Sequence, residues 1–535
     1  MEQLALIMGL LFATVLAVGL GDRLKLPYPV LMLLMAMVMT AIPGFPEFAI
    51  DPELILPVFL PPLLFATAQR SSWQVFQLRW RTLLWLAVGL VVVTTAAVAG
   101  TAWLLIPGIG LPAAIALGAM VAPPDPVAVE SVAGKVHMPR KLMNILQSEG
   151  LFNDAAAIVI FQAAVAATLA GRNLDASLIP KFLLGIVLAV LIGVGMGYVA
   201  KFVTWLVTAG VARTAVSLVV PFASYILAEE VHASGVIAVV VVALEMKRHA
   251  RPEDAAERVS QANFWDVVEL LATGLAFGLV GLDIRQVIHS EGAAIFDMVP
   301  SAIAVCVVAI AVRFLWTWFY LTTRGKLYQG DWRSKLKDVI ILSYSGMRGL
   351  ATLALALALP LTLDDGSAFP ARDHILVIAC TVLLVTLVLP GLTLPALMKI
   401  LKAQDDGSEE KEAAHMLARR AQKAALLALK ESELVSQLSP EQQNKMAKRL
   451  KSLHLELQGS GPVGGADGSA PAIPDEVRER YAKGRELMIA AQTIALDAAR
   501  QEVLVARKEL GMDPEVADHV LRQLDLRTMV MPSTN

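Results

Sequence analysis

Apolar runs of bilayer length recur almost without pause between Leu4 and Leu401, and that recurrence leaves few folds open. They begin near Leu4, Pro27, Pro52, Thr82, Leu111, Leu142, Phe182, Thr214, Ala233, Phe264, Val299, Asp338 and His374, about 13 in all, most close to the length that carries a helix across the hydrocarbon core. In lipid every backbone amide must find its partner within its own segment, so such runs are helices. The expected fold class is all-α, a polytopic membrane protein embedded in the lipid bilayer. At 56% hydrophobic residues the chain is too apolar for a soluble enzyme, and no catalytic residues are assigned.

Charge sorts by loop. Arg23 and Lys25, then Arg70, Arg79 and Arg81, then Lys135, Arg140 and Lys141, then Lys201 and Arg213, then Lys247, Arg248 and Arg251, then the group from Arg324 to Lys337 fall in alternate loops. The other loops hold little more than Arg172, Arg285 and Arg372. The positive-inside rule places the basic loops and the C-terminal tail in the cytoplasm and the N-terminus outside, which requires an odd number of spans. The first run lacks a basic leader and a small-residue cleavage site, and reads as a retained span.

Of the 92 Asp, Glu, Lys and Arg residues, 39 follow Lys402, so residues 1–402 read as a transmembrane domain and 403–535 as a helical cytoplasmic tail. The tail breaks at Ser439–Pro440, carries a Gly/Ser/Pro-rich flexible linker at 459–474, and resumes as a helical block from Asp475 past Gly511 to about Leu526. It has no metal, phosphate or nucleotide motif, which leaves two readings: a regulatory or oligomerisation module, or solvated helices without a ligand. A net charge of −2 gives no sign of a nucleic-acid partner, and Cys306 and Cys380 lie in apolar runs without a disulfide framework.

Two aspartates stand where lipid or packed protein is expected. Asp125 lies between Pro124 and Pro126, and Asp154 follows Asn153 in the next apolar run. An ionisable group at membrane depth costs roughly 2.5 kcal/mol or more, so it is paired, solvated in a cavity, or functional. Pro123, Pro124 and Pro126 lack backbone N–H groups and clash with the preceding turn, so the fifth span should break. Broken backbone at this depth lines a cavity or is buried in protein, as in secondary transporters. For Asp125 a helix-capping role is the alternative. Ser343, Tyr344, Ser345, Gly346, Arg348 and Gly349 interrupt the twelfth span, with a short cytoplasmic loop as the alternative. The two interrupted spans cross in opposite senses, as in an inverted-topology repeat. On a helix, Asp154 shares a face with Gly150, and Asn153 with Glu149. Burial disfavours a charged carboxylate, and either a proton or a cation neutralises it, so Asp154 alternating between the two would make an exchanger. Asp266 and Glu269 open the tenth span, where they are expected to cap its first turn, with an accessory role at the ion site as the alternative for Glu269. Thr273, one turn after Glu269, is either a packing hydroxyl or an accessory ligand.

The stretches APPDPVAVESV, SEGLFNDAAAIVIF, FWDVVELLATGLAFGLVGLDI, SYSGMRGLATLALALALP and VTLVLPGLTLPAL resemble, in order and spacing, the bacterial monovalent cation/proton antiporters of the CPA1 type. IDPELILPVFLPPLLF is similar to that family's third span, and the resemblance stops before the tail. It implies a plasma-membrane sodium/proton exchanger, a homodimer with a dimerisation half and a moving core in which two broken helices cross. It needs no cofactor beyond the transported Na⁺ and H⁺. By the same resemblance Asp154 is the Na⁺ and proton site with Asn153 beside it, Asp125 supports the crossing, and Arg348 offsets charge at the second break. Glu149 and Arg313 match a glutamate and an arginine that the family pairs; they read as a structural ion pair or as part of the transport path. Relatives often carry Thr, Ser, Asn and Glu where this chain has Pro124, Gly150, Thr273 and Ala66. The missing oxygen ligands keep open K⁺/H⁺ or broad monovalent exchange. One Asn–Asp pair in place of two aspartates points to electroneutral exchange. A channel and a membrane sensor acting through the tail are the readings from other classes.

Overall fold

The computed structural model describes residues 2–24, 26–40, 52–70, 84–125, 129, 138–171, 178–207, 209–248, 255–291, 295–323, 331–403, 408–432, 443–444, 446, 475–507, 509 and 514–530. The chain divides into two compact units, Met1–His249 with Phe264–Asp405, and Ala250–Asn263 with Asp406–Asn535. Among the described residues the structure is all-α, apart from one isolated bridge between Thr362 and Ala368.

In chain order the apolar part comprises α1 (Glu2–Leu24), α2 (Tyr28–Thr40), α3 (Pro52–Arg70), α4 (Leu90–Leu105), α5 (Leu111–Val121), α6 (Arg140–Leu169), α7 (Leu178–Leu206) and α8 (Gly210–Glu230). It continues with α9 (Gly235–Arg248), α10 (Ala255–Glu291), α11 (Ile295–Thr323), α12 (Trp332–Tyr344), α13 (Leu350–Leu357), α14 (Arg372–Leu383) and α15 (Leu389–Leu401). π-helical turns at Leu84–Gly89 and Leu384–Val388 lead into α4 and α15. Among the described residues, 7 helices are long and apolar enough to cross a membrane, and Leu56–Gln69, Leu111–Val121 and Asn153–Leu169 form shorter apolar helices. The twelfth run falls short because a break divides it into α12 and α13, and the fifth because α5 ends at Val121.

The helices pack in two groups. In one, α7, α8 and α9 pack together, with α3 against α8 and α9. Helix α10 joins them through Trp265, which lies 4.7 Å from the Phe65 ring of α3 and donates its indole N–H to Ser217 Oγ of α8 at 3.2 Å. Glycines of α10 bring it against α1 and α2: a Cβ at Gly274 would overlap Thr14, and one at Gly281 would overlap Ala36. The second group holds α4, α5, α6 and α11 to α15. Helix α3 touches α13 and α6 across the boundary.

Helix α10 starts at Ala255, not near Phe264, because helical hydrogen bonding continues into polar sequence where hydropathy stops signalling. Asp266 and Glu269 therefore sit well inside it and do not cap its first turn. The continuation of the fifth span through 126–128 and 130–137 lies outside the described residues.

In the tail, α16 (Ser408–Glu431), α17 (Asp475–Ala506) and α18 (Pro514–Val530) pack around Leu417, Ala421, Ala425, Ala499, Val503, Val520 and Leu524. The expected block past Gly511 is two helices: α17 stops at Ala506 and α18 restarts at Pro514, whose fixed φ and missing N–H suit a first helical position. Arg420 spans α16 to Glu502 at 2.8 Å and Glu509 at 2.7 Å. Arg500 is buried against Asp525 at 2.9 Å. The break at Ser439–Pro440 and the linker at 459–474 lie outside the described residues.

Candidate functional site

The two breaks meet. Helix α5 ends at Val121 ahead of Pro123 and Pro124, and α12 ends at Tyr344, its last turn closed by Ser345 N–H donating to Ile341 O at 2.8 Å. Asp125 N–H donates to Met347 O at 2.7 Å, so backbone freed in one break satisfies backbone freed in the other. Arg348 is 1% exposed; its Nε donates to Val121 O at 2.9 Å and its Nη1 to Gly346 O at 2.7 Å. A cation there meets the negative end of α5. The Arg348 backbone N–H donates to Thr386 Oγ1 at 3.3 Å, tying the crossing to the π-helical turn. A Cβ at Gly349 would overlap the Asp125 carboxylate, which is thereby held at the start of α13.

Asn153 and Asp154 approach this crossing from α6. Asn153 is buried, and its Nδ2 donates to Pro124 O at 3.3 Å, an acceptor that the break frees. Asn153 Oδ1 and Asp154 Oδ1 are both buried with no hydrogen-bond partner among the described residues. Buried polar atoms are normally satisfied, so these two oxygens on adjacent residues are available to a ligand. One turn earlier, Glu149 receives Arg313 Nη1 on Oε1 at 2.8 Å and Nη2 on Oε2 at 3.3 Å. Arg313 also donates to Leu342 O at 3.3 Å, and a Cβ at Gly346 would overlap its side chain.

A cavity of about 40 Å³ opens here, lined from the second group by Asp125, Asp154, Ile158 and Ala351 and from the first by Leu60, Leu63, Leu64 and Thr67 of α3 and Glu269 and Thr273 of α10. That is room for a small ion with one or two waters. Oxygen donors suit a hard cation, and the orphan amide and carboxylate oxygens fit one.

The structure thus brings Asp125, Asp154, Glu269 and Thr273 onto one cavity, with Asn153 beside it and Arg348 in the crossing behind. Glu149 and Arg313 form a separate buried pair. Thr67, Ile158, Ala351 and the leucines of α3 were missed in the sequence. Ile158 was findable as the residue one helical turn beyond Asp154. The α3 residues give no local signal, since their role comes from tertiary packing.

The family model described as "Sodium/hydrogen exchanger, transmembrane" matches residues 9–400. A "Sodium, potassium, lithium and rubidium/H(+) antiporter" of Bacillus pumilus is 32% identical over 390 residues, covering 70% of this chain and 58% of that protein. An uncharacterized Na(+)/H(+) exchanger of Mycobacterium tuberculosis is 30% identical over 533 residues, covering 97% of this chain and 94% of that one, so this likeness continues through the tail. The sodium proton antiporter MjNhaP1 from Methanocaldococcus jannaschii shares the fold, with a TM-score of 0.58 at 18% identity over 75% of this chain and 100% of that chain.

Proposed function

The chain belongs to the sodium/hydrogen exchanger family, and on that premise we propose that it exchanges Na⁺ or Li⁺ for H⁺ across the plasma membrane, with Asp154 as the group the two ions share. The observation that carries this reading is the pair of buried oxygens without partners, Asn153 Oδ1 and Asp154 Oδ1, beside a small cavity at the crossing of two broken helices. A proton on Asp154, or a cation held between the two oxygens, neutralises the carboxylate; both cannot be accommodated together. The cavity lies between two helix groups, so sliding one past the other would open it to either side in turn.

The remaining residues take supporting parts. Asp125 and Arg348 balance the helix ends at the crossing. Glu149 and Arg313 form a structural pair behind the site, and Glu269 and Thr273 approach from the opposite wall as accessory groups. With one titrating carboxylate in the Asn–Asp pair, exchange is one-for-one and electroneutral; a rate that rises with membrane potential at fixed ion gradients would refute this. The same reading takes 1–402 as the exchanger and 403–535 as a cytoplasmic tail, with the N-terminus outside and two copies forming a homodimer.

Broad monovalent exchange that includes K⁺ is the second reading. It is favoured by the apolar lining of the cavity along α3, where Leu60, Leu63 and Leu64 face it, and by the printed name of the Bacillus pumilus relative. The test is reconstitution of the protein and its Asp154→Asn variant in liposomes with a lumenal pH dye. Na⁺ or Li⁺ should collapse an imposed pH gradient in the parent and not in the variant. Collapse with K⁺ as well selects the second reading. No collapse with any cation refutes both and brings the sensor forward, whereas currents far above carrier turnover would make the protein a channel.

A further inference from the structure

Helix α16 buries one side against α17 and α18 through Leu417, Ala418, Ala421, Ala425 and Leu429. Its opposite side exposes Met416, Arg419, Lys423, Leu426, Leu427 and Lys430. At 3.6 residues per turn these six fall within an arc of about 100°. The apolar members are far from covered, with Met416 58% exposed, Leu426 40% and Leu427 50%. Among the described residues Arg419, Lys423 and Lys430 make no ion pair, whereas the adjacent Arg420 is engaged by both Glu502 and Glu509. The acids of the helix, Glu409, Glu410, Glu412 and Glu431, stand at its two ends, so the middle of this face is basic and apolar only.

We propose that this face of α16 rests on the anionic headgroups of the cytoplasmic leaflet, with Met416, Leu426 and Leu427 inserted at the acyl boundary. Cations flanking an apolar stripe are what an anionic lipid interface recognises, and each such cation strengthens attraction to it. The bilayer is already at hand, because only Lys402 to Gly407 separate α16 from the end of α15. Fully extended, a stretch of that length reaches roughly 20–25 Å. Lys399 and Lys402 add basic charge at the same end of α15. The inference rests on the orientation proposed above and is independent of which ion is exchanged.

The test uses the full chain carrying Leu427→Cys in a Cys306→Ala, Cys380→Ala background, labelled with an environment-sensitive dye. It is reconstituted in phosphatidylcholine vesicles with and without phosphatidylglycerol. Expected is a blue shift in the anionic vesicles, with quenching by spin labels on the lipid chains, several-fold stronger than in neutral vesicles. High salt and the combined Arg419→Gln, Lys423→Gln, Lys430→Gln variant should each abolish the difference. These three side chains are exposed and make no ion pair among the described residues, so the variant should keep its helical circular dichroism. A dye at Val505→Cys, on an exposed position of α17, should remain aqueous throughout. Equal shifts in neutral and anionic vesicles, or a shift lost in nanodiscs holding a single copy, would overturn the proposal in favour of a second copy of the chain. An aqueous signal in every vesicle would make the face plainly solvated. Labelling of a tail cysteine by an impermeant reagent in intact cells would refute the orientation separately.

Discussion

Replacing Arg313 with Met strips a buried carboxylate of its hydrogen-bonded counter-ion. Arg313 and Glu149 are 2% and 3% exposed and share two hydrogen bonds, at 2.8 and 3.3 Å, while Leu342 O also accepts from the guanidinium. Removing one side of a buried pair costs roughly 3–5 kcal/mol, because the remaining charge has neither water nor counter-ion. The stranded carbonyl adds about 1–3 kcal/mol, with some overlap between the two. Arg313→Met should therefore lower unfolding free energy by about 4–6 kcal/mol, read by tryptophan fluorescence in mixed detergent micelles. Adding Glu149→Leu removes the stranded charge and leaves only the carbonyl, so the double variant should fall only about 1–3 kcal/mol below the parent. A single variant within about 1 kcal/mol of the parent, or a double variant no better than the single, would refute this electrostatic account. The double variant also decides the role of the pair: if it exchanges ions, the pair is structural, and if it folds but fails to exchange, the pair belongs to the transport path.

Gly349→Ala drives a methyl into the Asp125 carboxylate and should reduce exchange in proteoliposomes at least about tenfold, the scale of a misplaced site; unchanged exchange would mean that the crossing tolerates displacement. Glu269→Gln removes a carboxylate from the wall opposite Asp154 and should raise the cation concentration for half-maximal rate by about tenfold, as expected for one charge at an effective dielectric near 20, with little change in maximal rate. An unaltered half-saturation would remove Glu269 from the site. In the tail, hydrogen bonds from Arg420 hold Glu509 below its ordinary carboxylate range. The stabilisation is therefore complete above that range and is lost as pH falls through the lowered value. Amide exchange at the C-terminal end of α17 in the full-length protein should accelerate on acidification, and Arg420→Gln should remove that pH step.

Much of the membrane part is legible because lipid enforces helices and because proline and clustered polar residues interrupt them. Pro123 and Pro124, and the run from Ser343 to Gly349, announce the two breaks. The tie between Asp125 N–H and Met347 O does not, since it joins positions far apart in the chain. Hydropathy marks where lipid begins and not where a helix begins, which is why α10 reaches back to Ala255 and why Glu269 lies on a cavity wall instead of in a first turn. Asp154 and Asn153 stand out by chemistry alone. Leu60, Leu63 and Leu64 look like any other apolar helix residues until α3 is packed. In the tail, Gly511 to Pro514 holds a helix stop and restart signal, which the surrounding charge density obscured.

The joint between the two broken helices is made from backbone amides, backbone carbonyls and a guanidinium: Asp125 to Met347, and Arg348 to Val121 and Gly346. On the proposed exchange at Asp154, none of these groups would take up or release a proton. On that proposal these backbone and guanidinium ties would keep one mould whichever ion fills the site. Rivalry between the ions would then fall to the Asp154 carboxylate. Such a device would have no built-in preference for inward or outward work, and the prevailing gradients would set its direction.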